Sequence, residues 1–170
     1  WKYLTTEHFN IYYNQGGLEI ANFTAMVAED AHHQLSENFH FNIDASSPIT
    51  VLTYQSHNDF EQTNVSGSQP QESVGGFTEF LKSRVVVPYE GNLEKFRHVI
   101  HHELTHAMML TMLYGEGFAS IVSGLTQSRT PLWFIEGLAE FQSRGGLDRE
   151  TEMFLRDAVV NDFLPEVEQL

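Results

Sequence analysis

The alternation of apolar and polar positions marks a strand near the start of the chain. Phe9, Ile11 and Tyr13 alternate with His8, Asn10 and Tyr12, the two-residue period of a half-buried strand within 1–14. Gln15-Gly16-Gly17 interrupts it, and the period changes. Ile20, Phe23, Val27, Ala31, Leu35 and Phe39 fall on one stripe of a helix over 18–39. His32 and His33 lie within that helix. Neighbouring helical residues point about 100° apart, so the two do not chelate together and read as ordinary, partly exposed histidines. After Pro48, the β-branched run Ile49-Thr50-Val51-Leu52-Thr53-Tyr54 predicts a second strand.

The middle of the chain is more polar. Ser56 is placed to cap a short helix through Gln62, and residues 64–73 (NVSGSQPQES) read as a surface loop. Gly76-Phe77-Thr78-Glu79-Phe80 and Ser83-Arg84-Val85-Val86-Val87-Pro88 read as two strands of a hairpin. The valine run is expected to be buried and the glycine-led strand to lie at an edge. Asn92 is placed to cap a helix ending near Tyr114, before Gly115. Residues 118–125 are apolar enough for a short helix. Thr130-Pro131 predicts a cap with proline at the first helical position, opening a helix that contains 132–141 and closes at Gly145-Gly146. Asp148 opens a last helix to about Asn161, with Pro165 as its outer limit. The expected class is α+β: a small mixed β-sheet with an antiparallel edge strand packed on the 92–114 helix, then a helical C-terminal part. One domain accounts for 1–170, with 1–114 as sheet plus helix and 115–170 as the helical part.

Chemistry enters at His102-Glu103-Leu104-Thr105-His106, an H-E-x-x-H pattern inside the 92–114 helix. Residues four apart lie on one helical face, so His102 and His106 can present two imidazoles to a single Zn²⁺. Glu103 is turned about 100° from His102, beside the metal rather than on it, where it can take a proton from water as a general base. The plainer alternative is a helix with surface histidines. The apolar neighbours Val99, Ile100, Leu104, Ala107, Met108 and Leu110 count against it, because buried ring nitrogens need partners. A catalytic zinc takes three protein ligands. Glu136 is the best third ligand, an acid in an otherwise apolar helical segment. Glu140, one turn on, can accept the free ring N–H of a metal-bound histidine.

Composition narrows this picture. Cysteine is absent, so a metal site must be built from His and carboxylates. Twenty-three acidic against nine basic residues give a net charge of −14, which counts against nucleic acid or an anionic membrane surface as partner. No apolar run is long enough for a membrane helix. A chain that opens at Trp1 is expected to be a piece of a longer one.

HELTH at 102–106 followed by PLWFIEGLAEF at 131–141 resembles the gluzincin metallopeptidases, particularly the peptidase-MA-like domains. The resemblance is specific over 98–109 and 131–141. It implies a zincin-like fold, Zn²⁺ as cofactor, Glu136 as third ligand and Glu140 beside a metal-bound histidine. It implies hydrolysis of peptide bonds, with a peptide or protein substrate lying along the edge strand Gly76-Phe77-Thr78-Glu79-Phe80. It also implies a secreted, periplasmic or cell-surface bacterial protein, with further domains such as a β-propeller. The chain departs from the family in three respects. Residues 107–135 form a long spacer between the second histidine and Glu136. The G-x-M-E-N strand of zinc aminopeptidases is replaced by GGFTEF, which points to endopeptidase action. The oxyanion-stabilising Tyr or His is not placed; Tyr89 and Tyr114 are the candidates. Two other functions remain open: a non-catalytic, zinc-stabilised binding domain, and a zinc hydrolase of non-peptide amides.

Overall fold

In the computed structural model, which describes residues 1–56, 77–79, 84–115, 130–164 and 166, the chain opens on a hairpin. β1 (Lys2–Thr5) and β2 (Phe9–Tyr13) pair antiparallel, with Leu4 opposite Ile11. The long helix α1 (Leu18–Phe39) crosses over to β3 (Ile49–Tyr54), which runs parallel to β2 with Val51 beside Ile11. β4 (Phe77–Glu79) is antiparallel to β5 (Arg84–Pro88), and β5 lies parallel to β3. The strand order β1-β2-β3-β5-β4 puts short β4 at an edge. Helices α2 (Leu93–Tyr114), α3 (Leu132–Arg144) and α4 (Arg149–Val160) follow. The architecture is mixed α+β.

The two-residue period decides which face of the sheet carries the core. Phe9, Ile11 and Tyr13 of β2 share one face with Val51 of β3 and Val85 and Val87 of β5. Against it pack Ala21, Ala25, Ala28 and Ala31 of α1 and Phe96, Ile100, Leu104 and Met108 of α2. The alanine stripe gives α1 little side-chain bulk between its axis and the sheet. The opposite face holds a smaller cluster of Leu52, Tyr54 and Val86, with Trp1 edge-on to Tyr54. α2 touches β4, β5, α1 and α3, so it joins the sheet to α3.

The helix ends follow their local chemistry. Asn92 Oδ1 accepts from the backbone N–H of Glu94 and Lys95 at 2.9 and 3.0 Å, satisfying donors that α2 cannot use internally. Asp148 does the same for Thr151 at the start of α4. Gly145, at φ 72°, supplies the left-handed residue that closes α3.

Three expectations need correction. Residues 2–5 form a strand of their own, stabilised by pairing with β2 rather than by any apolar pattern. Pro131 is the cap residue of α3 and not its first helical residue. Its backbone is extended (ψ 145°), and its carbonyl accepts from the N–H of Phe134 and Ile135. His32 is buried, at 5% exposure, because α1 turns it inward onto His8; His33 faces solvent. The expected helix beyond Ser56, the 64–73 loop, Gly76, Phe80, the 118–125 helix and Pro165 lie outside the described residues. Among the described residues no helix is long and apolar enough to cross a membrane.

Candidate metal centre

The centre sits where α2 meets α3. Ile100, Leu104 and Met108 point α2 into the core, and the 3.6-residue period leaves His102 and His106 on a neighbouring face. Their Nε2 atoms face each other at 3.2 Å. Glu136 reaches in from α3, with Oε2 3.4 Å from His102 Nε2 and 3.5 Å from His106 Nε2. Among the described side chains of α3, Ala139 alone is buried, one turn after Glu136.

Two of these three edges are long for hydrogen bonds, which cluster near 2.9 Å. A tetrahedral site with bonds of about 2.0–2.1 Å has ligand–ligand edges of about 3.3–3.4 Å. Edges of 3.2, 3.4 and 3.5 Å therefore match a zinc-sized centre, and two imidazoles with one carboxylate are a suitable donor set. Burial pushes His106 below its ordinary pKa; Glu136 opposes that shift and His102 adds to it. His106 thus favours the neutral form in which its ring nitrogen can bind a metal.

Glu140 backs the triangle. Its Oε2 lies 3.3 Å from His102 Nδ1 and 3.4 Å from His98 Nε2, while Oε1 accepts from Arg144 Nε. His102 therefore turns Nε2 to the triangle and Nδ1 to a carboxylate, an arrangement that fixes ring orientation at metal sites. Partial burial alone would raise the Glu140 carboxyl. The Arg144 hydrogen bond and charge together with His98 and His102 outweigh it and hold Glu140 below the ordinary range. His98, His102 and Glu140 are themselves close enough to form a metal-binding group. Charge separates the two groups: Glu140 already has the Arg144 guanidinium, whereas the ion-pair partners of Glu136 among the described residues are the two imidazoles.

The other expected site residues fall as follows. Glu103 is 7% exposed, one residue after His102 and one helical turn before His106. Phe77, Thr78 and Glu79 form the β4 edge, which α2 contacts; Gly76 and Phe80 lie outside the described residues. Tyr89 packs edge-on against Phe96 in the core. Tyr114 ends α2 two turns past His106. Among the described residues neither tyrosine contacts the triangle through a ring contact or hydrogen bond. Two participants went unpredicted. His98 extends the four-residue spacing of His102 and His106 by one turn, and Arg144 stands one turn after Glu140. Both spacings are visible in the sequence, but the contact that joins His98 to Glu140 crosses from α2 to α3.

A scan against protein-family models, a search of curated proteins and a search of solved structures each gave no match to this chain.

Proposed function

We propose that this chain is a zinc-dependent peptidase of the gluzincin type, with a zincin-like fold and endopeptidase action. The observation that carries this reading is the convergence of His102 Nε2, His106 Nε2 and Glu136 Oε2 from two helices onto edges of 3.2–3.5 Å. His102, His106 and Glu136 would hold the ion, and Glu140 would orient His102. Zn²⁺ in such a site supplies Lewis acidity toward a carbonyl and lowers the pKa of a water toward about 7. Glu103 accepts a proton from the attacking water and delivers it to the leaving amine. Its burial shields that transfer from bulk solvent. The backbone of β4, at the sheet edge beside α2, offers hydrogen bonds to an extended peptide substrate. The secreted or cell-surface setting and the companion domains rest on the family resemblance.

Glu103→Gln tests the assignment. It should retain zinc and cut hydrolysis of casein or a quenched peptide by about 10²–10⁴-fold, the usual contribution of a general base. A chelator should abolish the wild-type activity. A Glu103→Gln protein cleaving at the wild-type rate, or activity indifferent to the chelator, would overturn the proposal.

A second reading is a non-catalytic domain held together by zinc. It is favoured by the exposure of α3: Ala139 is its only buried side chain among the described residues, so a metal bridge would add to an attachment made mainly to α2. That reading expects zinc without hydrolysis. A zinc hydrolase of non-peptide amides would instead be found with a small-substrate panel.

A further inference from the structure

A second set of metal-binding side chains lies at the other end of the sheet. A cleft of about 510 Å³ opens between the start of β2 and the C-terminal half of α1. His8, Glu29 and His32 line it and share no residue with the α2–α3 triangle. One ring nitrogen from each histidine and one oxygen of Glu29 lie within 4.8 Å of one another. Glu29 and His32 are three residues apart on α1, hence on one face. His8 is brought to them by the chain entering β2.

Mutual contacts hold these side chains in place. Both oxygens of Glu29 are used by His8: Oε1 accepts its backbone N–H at 2.9 Å, and Oε2 lies 2.8 Å from Nδ1. The His8 and His32 rings are stacked, with centroids 3.9 Å apart and planes within 22°. His32 is nearly fully buried, yet its Nε2 has only a long 3.5 Å contact with Ser36 Oγ. A buried imidazole with so weak a partner is an available donor. Glu7 and Glu37 add negative charge to the cleft wall.

We propose that His8, Glu29 and His32 form a second divalent-metal site that fastens β2 to α1. Two imidazoles and one carboxylate suit Zn²⁺ or Cu²⁺ and not Ca²⁺ or Mg²⁺, which select oxygen ligands. Metal binding at His8 Nδ1 replaces its 2.8 Å contact with Glu29 Oε2 and leaves the ring N–H on Nε2. The site is independent of the proposed peptidase centre.

Metal counting by mass spectrometry, after dialysis against Zn²⁺ and then metal-free buffer, tests it. The wild-type chain should retain two zinc ions. His102→Ala/His106→Ala, which disables both metal-binding groups that include His102, should retain one. Adding Glu29→Gln, nearly isosteric and still able to hydrogen-bond, should remove the last. If that triple variant fails to fold by circular dichroism, His32→Asn replaces the Glu29 change with the same expected loss. A double variant without zinc, or a folded triple variant that keeps its ion, overturns the proposal. A wild-type chain with one zinc, lost on Glu29→Gln alone but kept in the double variant, would support this site and refute the α2–α3 centre.

Discussion

α2 and α4 are both amphipathic helices begun by a side-chain cap, yet they relate to the fold in opposite ways. α2 buries nine residues, from Phe96 to Leu110, between the sheet, α1 and α3. α4 buries none, and Met153, Phe154, Leu155, Val159 and Val160 are exposed. α3 stands between these extremes, with Ala139 buried and Glu136 53% exposed. The proposed centre is therefore asymmetric. His106 is buried and His102 partly buried on α2, whereas the carboxylate is half-exposed on α3. Burial therefore fixes the α2 side of the centre more firmly than the α3 side.

Mutation should expose this asymmetry most strongly in the core. Leu104→Ala removes a fully buried side chain beside the motif histidines and should cost about 2–5 kcal/mol in urea denaturation. A loss below 1 kcal/mol would mean that α2 is not the rigid half. Removing zinc should act next, and locally. At a zinc concentration about 100-fold above its dissociation constant, binding stabilises the fold by about 2.7 kcal/mol. Chelation should therefore lower the melting temperature and speed amide exchange across 132–144 more than across 96–110. Equal acceleration in both segments would remove the distinction between the helices.

Acid should weaken the α2 side by a separate route. Burial holds His101 below its ordinary value near 6.5, and its Nε2 is buried without a hydrogen-bond partner among the described residues. The unfolded chain then binds a proton more readily than the folded one, so stability rises with pH in this range. In the metal-free protein it should fall as pH drops below about 6.5, and His101→Gln should flatten that fall. A pH-independent melting temperature between 7 and 5 would contradict it. The smallest effect belongs to α4: Phe154→Ala is expected to change stability by less than about 0.5 kcal/mol, as at an ordinary surface position. A cost comparable to Leu104→Ala would show that α4 is packed after all.

The sequence was most informative where local signals agreed. The limits of α1 follow from an apolar stripe between Gly17 and an αL residue at His40, and those of α2 from Asn92 and Gly115. β3 and β5 are legible from β-branched runs. β1 was not, because KYLT buries little and exists through its pairing with β2. The pairing of His102 with His106 is local and readable at four-residue spacing. The position of Glu136 had to be assumed, since a long intervening segment separates it from α2. The His8–His32 stack was invisible for the same reason: a strand and a helix, distant along the chain, have to dock before those rings meet.

The uncovered apolar side of α4 also bears on how the molecules behave together. A net charge of −14 keeps copies apart when the ionic atmosphere is thin. Added salt shortens the reach of that repulsion from about 30 Å at 0.01 M to about 8 Å at 0.15 M. Phe154, Val159, Val160 and Phe163 can then meet their counterparts on a neighbouring chain. Light scattering from the isolated chain should accordingly increase, not decrease, as sodium chloride is raised.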